Sequence, residues 1–289
     1  MKKKIKILLL VFILAIILTG CKSNNNPIIG YGDEGDKNFF DIILVMPISY
    51  LLNFIAQLFN GNLGVGIIFT TIIVRTLAWP IYAKTNSFSR KMQEMQPDLD
   101  RLNAKYLTKT DPASQQKKQM EMMAIYKKHK FSPLGCLTPF LQMPIFYAMY
   151  ETVNRITKEG GKFASNLHSK FLGIDLAVHS EGINFKDWIG IIMGILVGGT
   201  MFLLQFYSQR YAKKKQPNRP RVKTTEQATT EKTMKFMNYF MIIMMALVAF
   251  TSRPLALYWI IGNLYSLAQN VFQNYLNDRH SKKKEPEIR

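Results

Sequence analysis

Four histidines and two cysteines are the side chains from which a metal centre or a nucleophilic site would be built, and their spacing supports neither. His129, His168, His179 and His280 share no short interval with one another or with Cys136, whereas zinc ligation draws on closely spaced pairs. A Cys21–Cys136 disulfide is not expected, because Cys136 falls inside an apolar run. The side chain in a position to do something is an arginine. Arg75 stands in apolar sequence nine residues before Lys84, about 13 Å from that charge at 1.5 Å per helical residue. A guanidinium at such depth in a bilayer costs several kcal/mol unless it faces protein or water, and snorkelling would carry it only part of the way out. No buried carboxylate is expected within the spans to neutralise it, so it requires water and neutral dipoles.

Those dipoles are legible. Trp259, Asn263, Ser266, Asn270 and Gln273 recur at intervals of 4, 3, 4 and 3, a single helical face. Gly190, Gly194, Gly198 and Gln205 share another face, with small residues that permit close helix approach. Gln142 lies twelve residues from Lys130. Gln205, Arg75, Gln269 and Gln142 thereby fall at about 7 to 18 Å from the same membrane boundary. Taken singly, each amide is most simply an interhelical hydrogen bond. Taken with Arg75, the set describes a hydrated, positively charged cavity open to the cytosol and closed outwardly. A channel would need a polar path right through. A carrier of the common kind would show inverted repeats and paired broken helices, and intramembrane hydrolysis would need a nucleophile with its base or paired carboxylates. What the pattern suits is a surface that eases polar peptide part-way into a membrane.

The elements that must hold these residues are set by the distribution of charge. The chain has 289 residues, 48% of them hydrophobic, with 38 Lys+Arg against 19 Asp+Glu and a formal charge of +19. Yet 33 uncharged residues separate Asp41 from Arg75, 20 separate Lys130 from Glu151, 22 separate Asp187 from Arg210, 17 separate Lys235 from Arg253, and 24 separate Arg253 from Asp278. About 20 apolar helical residues cross a hydrocarbon core. The composition excludes disorder, collagen and a disulfide scaffold, and predicts an all-α polytopic membrane protein with five transmembrane helices: 61–83, 131–155, 188–209, 236–251 and 254–277. The fourth is short, and forms a hairpin with the fifth through Ser252-Arg253-Pro254. Residues 39–59 read as an amphipathic helix in the outer interface, bent or started by Pro47.

Residues 1–20 have the basic start and apolar core of a signal peptide. A polar tether follows Cys21 within the segment 21–60. Loop charges orient the rest. Residues 84–130, 210–235 and 276–289 hold eleven, nine and five Lys or Arg, and 22–60, 151–187 and 251–253 hold two, five and one. Twenty-five against eight places the first group in the cytoplasm, with the N-terminus outside and the tail 278–289 inside. The loop 156–187 is then extracellular. Within 84–130, Met92, Met95, Leu99, Leu102 and Tyr106 form the seam of a two-helix coil, and Asp111-Pro112 caps a second helix over about 113–129. The hairpin methionines, Met120, Met122 and Met123 among them, are read first as packing of that seam, with an adaptable binding face as the alternative.

At the level of motifs the chain resembles the YidC/Oxa/Alb membrane-protein insertase family over about residues 60–277. The resemblance rests on Val74-Arg75 with Pro80, Lys91-Met92-Gln93, Gln96-Pro97 and Lys105-Tyr106. It extends through Ser132-Pro133-Leu134-Gly135-Cys136-Leu137-Thr138-Pro139, Gln142-Met143-Pro144-Ile145-Phe146, and Leu257-Tyr258-Trp259 with Asn263 and Gln269. Leu18-Thr19-Gly20-Cys21 resembles a bacterial lipobox, which implies lipidation at Cys21 and the Gram-positive branch of the family. The proline three places after Cys136 departs from the expected two, which bears on the local kink of the second span. The resemblance implies a non-enzymatic insertase and folding chaperone in the plasma membrane, without a cofactor, working alone or with the Sec translocon. Nascent membrane proteins and lipids are its implied partners, and the basic loops could attract the ribosome. Its implied groove residues are Arg75, Gln142, Gln205, Trp259, Asn263 and Gln269, with Arg75 attracting acidic client segments. A lipid-anchored transporter or channel component is the alternative from another class.

Overall fold

The computed structural model describes residues 26–32, 39–109, 111–129, 131, 143–178, 186–214 and 225–284. The expected signal segment 1–20, Cys21, Gln142 and His179 lie outside the described residues. Eight α-helices account for nearly all the described structure: α1 (Met46–Leu58), α2 (Leu63–Leu77), α3 (Trp79–Lys105), α4 (Pro112–Lys128), α5 (Met143–Arg155), α6 (Trp188–Lys214), α7 (Thr225–Ala249) and α8 (Arg253–Lys284). A two-stranded antiparallel ribbon, β1 (Lys170–Phe171) and β2 (Ile174–Asp175), lies between α5 and α6. Asp41–Leu58 and Trp188–Tyr211 are long and apolar enough to cross a membrane, while Leu63–Leu77 and Asn238–Ala249 are apolar but shorter. Among the described residues, only the third of the five expected spans, 188–209, coincides with one of these two helices. The other falls on the stretch expected to lie in the interface. There a π-type turn (Asp41–Val45) runs unbroken into α1, with Pro47 in its first turn, and adds five residues to the apolar length.

The other differences have local causes. The first expected span breaks at Ala78, because Pro80 lacks an N–H and its ring opposes the carbonyl four residues earlier. α2 therefore stops at Leu77 and α3 starts afresh with Pro80 in its first turn. α6 and α7 run into the expected loop 210–235, to Lys214 and from Thr225. α8 runs on past its apolar part into Asp278, Arg279 and Lys282–Lys284, and with its amides these charges bring its mean apolarity below that of α6. Large apolar side chains stay exposed along α6 and α7, including Ile195, Leu203, Phe240 and Ile243. A helix bathed in water keeps such residues on one covered stripe; hydrocarbon accepts them all round.

Residue contacts divide the chain into two compact units. One draws on Met1–Val74, Gln142–Met193 and Ala249–Ile261, the other on Arg75–Leu141, Gly194–Val248 and Gly262–Arg289. In the first, α1 buries Met46, Ser49, Leu52 and Ala56. Gly66 of α2 lies so close to this face that a Cβ would sit 3.1 Å from the Ala56 Cβ and the Leu52 Cδ2. The α1–α2 turn needs left-handed backbone at Asn60 (φ 56°) and Gly61 (φ 74°), which Asn and Gly adopt most readily. Asn62 Oδ1 then accepts the Val65 N–H and caps α2. In the second unit, the α3–α4 hairpin buries Met95, Leu102 and Tyr106.

Candidate functional site

Arg75 occupies the last turn of α2, just before the break that Pro80 imposes. A cation there is favoured by the partial negative charge of a helix C-terminus. Its Nη1 donates to the Ser266 hydroxyl at 2.6 Å, so the guanidinium is bound to the polar face of α8 that the spacing of amides and hydroxyls marks out. Thr76, the next residue, shares a 2.5 Å hydroxyl–hydroxyl hydrogen bond with Tyr265, and Trp79 meets Phe272 edge-on with ring centroids 6.0 Å apart. Three consecutive contacts therefore fasten the α2–α3 junction along α8.

The neighbouring amides divide into two kinds. Asn263 donates from Nδ2 to the Thr200 hydroxyl at 3.2 Å, the interhelical bond that an isolated amide in a span most simply makes. Gln269 is different: the side chain is 7% exposed, and its amide nitrogen has no hydrogen-bond partner among the described residues. A buried donor left unmade costs about 1–3 kcal/mol, so Gln269 holds hydrogen-bonding capacity that its fold does not use. Gln205 is half-buried on α6. Upstream of it, Gly198 faces Ala246 of α7, where a Cβ would stand 3.4 Å from that methyl. The cationic seat and the spare amide belong to one unit and are built from α2 and α8.

The sequence matches the family model described as 60Kd inner membrane protein over residues 54–282. It is 33% identical over 259 residues to membrane protein insertase YidC 1 of Halalkalibacterium halodurans, a match covering 89% of this chain and 86% of that protein. It is 34% identical over 276 residues to membrane protein insertase YidC of Oceanobacillus iheyensis, covering 95% and 97% respectively. With membrane protein insertase MisCA of Bacillus subtilis the identity is 32% over 271 residues, 93% of this chain and 90% of the relative. The chain belongs to the YidC family of 60Kd inner membrane proteins. Membership makes it a membrane protein, in keeping with its two span-length apolar helices.

In this family member the other unit holds Trp259. The indole stacks on Phe146 with centroids 6.4 Å apart and planes 6° from parallel. It is 5% exposed, and its N–H has no hydrogen-bond partner among the described residues. The same unit contains a charged cluster that sequence reasoning missed. Within the expected second span, where no carboxylate was foreseen, Glu151 is fully buried beside Arg155. Arg155 donates to Glu151 Oε2 at 3.2 Å, to Asp41 Oδ1 at 2.7 Å and to the Asn26 carbonyl at 2.8 Å. Arg253, read as a mere turn residue, grips both oxygens of Asp187 at 2.6 and 3.2 Å and also donates to the Asp175 carbonyl. That guanidinium holds the Asp187 carboxyl below its ordinary range.

On the hairpin, Asp111 Oδ2 accepts the Ser114 N–H as an N-cap, and Pro112 opens α4. Lys105 at the end of α3 and Tyr106 just after it both donate to Glu121 of α4. Met95 lies in the seam, but Met120 and Met123 do not. They are 65% and 52% exposed on the face opposite, with Gln116, Gln119, Ala124 and Lys127 around a shallow cavity of about 600 Å³. Seam packing therefore accounts for only part of the methionine content: the intervals 116, 119, 120, 123, 124 and 127 trace a second face of α4.

Proposed function

We propose that this chain is a membrane protein insertase and folding chaperone, in which Arg75 receives acidic or polar segments of nascent proteins before their apolar helices pass into lipid. The observation that carries the reading is the seating of Arg75 on Ser266 of α8, the helix that also carries a buried amide nitrogen without a partner among the described residues at Gln269. Its relatives' names, membrane protein insertase, support the activity. The proposed frame has five spans, an N-terminus outside with lipid on Cys21, and the α3–α4 hairpin in the cytoplasm. Arg75, Gln205, Asn263 and Gln269 line a groove open to the cytosol; Gln142 and Trp259 join them on the family resemblance alone.

The physical logic needs no covalent step. Partitioning of the client's apolar helix supplies the driving force. Its polar tail sets the barrier, because each charged residue at mid-bilayer costs about 2.5–3.5 kcal/mol. A guanidinium that forms a charge-assisted hydrogen bond to that tail recovers about 1.5–3 kcal/mol, so that about tenfold or more in rate depends on it. Work beside the Sec translocon and attraction of the ribosome to the basic loops belong to the same proposal.

The test is reconstitution. Arg75→Ala should slow insertion of small, acidic-tailed, single-span clients about tenfold while the protein's melting temperature is kept. Solute flux through the same vesicles, with insertion indifferent to the substitution, would instead identify a transporter or channel component.

A further inference from the structure

Gly262 sits in the middle of α8, buried, where nothing about the helix asks for glycine. What lies over it is Arg75. A Cβ built on Gly262 would stand 2.5 Å from Nη2 of Arg75 and 3.0 Å from both Cζ and Nε. One helical turn further along, Ser266 accepts the hydrogen bond from Nη1 at 2.6 Å. The guanidinium therefore lies flat on the backbone of α8, over a missing side chain at one end and tied to a hydroxyl at the other.

The backbone carrying Arg75 is held independently. Thr76 is hydrogen-bonded to Tyr265 and Trp79 packs on Phe272, so a new methyl group at position 262 would meet a fixed helix and a flexible side-chain end. The arginine would yield. Displacing the far end of a long side chain costs the fold little, and alanine is the better helix former of the two residues. A change that leaves the fold as stable or more so, yet relocates one charge, separates position from stability.

We infer that Gly262 and Ser266 are positioning residues that hold the Arg75 guanidinium at a fixed place on α8, so that it meets the acidic segment of a client at one depth. This rests on the reading of Arg75 as the client-binding cation. Glycine supplies the clearance and serine the direction; neither touches the client.

The experiment uses the full-length protein in vesicles with an acidic-tailed single-span client. Gly262→Ala should slow insertion about tenfold, the scale of one charge-assisted hydrogen bond misplaced, with the melting temperature unchanged or raised. Ser266→Ala should slow it by a smaller factor. In an Arg75→Ala background Gly262→Ala should cause no further loss, and in an Arg75→Lys background its effect should shrink, because the slimmer ammonium stem clears a methyl. Arg75 itself should react at a different rate with phenylglyoxal once Gly262 is replaced. An equal loss in the Arg75→Ala background would make Gly262 a packing residue and overturn the inference. So would normal insertion by Gly262→Ala when Arg75→Ala is impaired. Normal insertion by Arg75→Ala would sink the reading of Arg75 as the client-binding cation, and the phenylglyoxal rate would still report whether the seat exists.

Discussion

Arg155 reaches Asp41 at 2.7 Å across 114 residues of chain, with 4% of the arginine and 5% of the aspartate side chain exposed. Glu151 completes the cluster at 3.2 Å, and the Asn26 carbonyl takes the remaining Nε–H. One guanidinium thus holds together α5, the start of the α1 segment and the chain that follows the expected lipid anchor.

Removing that guanidinium would take the counter-charge at 2.7 and 3.2 Å away from two buried carboxylates, and breaking a buried ion pair typically costs about 3–5 kcal/mol. Arg155→Met should lower the unfolding temperature in detergent accordingly. The triple change Arg155→Met, Asp41→Asn, Glu151→Gln should recover most of the loss, since exchanging a whole buried ion cluster for neutral groups is often close to neutral. A single substitution as damaging as the triple would assign the effect to volume and not to charge.

Asp187 does two things at once: its Oδ1 caps α6 by accepting the Gly190 N–H at 3.0 Å, and both oxygens hold Arg253. Asp187→Asn keeps the capping oxygen and gives up the charge. Asp187→Ala gives up both, and loss of a cap alone costs about 1 kcal/mol. The expected order of stability is wild type, then Asn, then Ala. Thermal unfolding with the two variants side by side reads it directly: identical losses would show that only the pair matters, and an Asn variant as stable as wild type would show that only the cap does.

The parts of this architecture visible in the sequence are those made by neighbours in the chain. The hairpin seam could be read because Met95, Leu102 and Tyr106 recur at heptad intervals, and the Asp111 cap because its acceptor and donor are three residues apart. Arg75 declared itself by depth, since a charge in apolar sequence is conspicuous wherever it points. Its seat did not, because Ser266 and Gly262 lie some 190 residues away and one of them acts by lacking a side chain. The Asp41–Glu151–Arg155 cluster was hidden by the same counting that found the spans: a run of uncharged residues ends at a charge, and so a charge that folds inward is taken for a boundary. The break at Ala78 had its signal in Pro80, outweighed by the apolar run that continues through it.

The α3–α4 hairpin should be acid-sensitive. Lys128 and then His129 hold Asp98 below the ordinary carboxylate range by hydrogen bonds; Ser114 does so for Asp111, and Lys105 with Tyr106 for Glu121. Each group has a lower pKa folded than unfolded, so its contribution is fully present above the unfolded value and is lost as pH falls through the folded one. Lys105 is raised by Glu121, and its contribution lasts until the solution becomes more basic than an ordinary lysine. Protection factors for hairpin amides should therefore be flat near neutrality and fall below about pH 4. Asp98→Asn should lower them at neutral pH and flatten the acid limb. These groups are partly or wholly open to solvent and so are screened by salt, and the effect should shrink at high ionic strength.

Trp259 separates shape from hydrogen bonding. The ring is 5% exposed and stacked on Phe146, while its N–H has no partner among the described residues. Trp259→Phe keeps a stacked ring and removes the orphan donor. Losing that donor offsets part of the lost area, so the stability change should stay within about 1 kcal/mol. Trp259→Ala removes the ring and should cost about 3–5 kcal/mol through the cavity it leaves. If Trp259 serves the proposed groove as packed wall and not as a client contact, the Phe variant should insert clients at the wild-type rate, and the Ala variant should lose activity in step with its melting temperature. A Phe variant that is stable but slow would transfer the indole N–H from the interior of the fold to the client path, and would add Trp259 to the groove on evidence of its own.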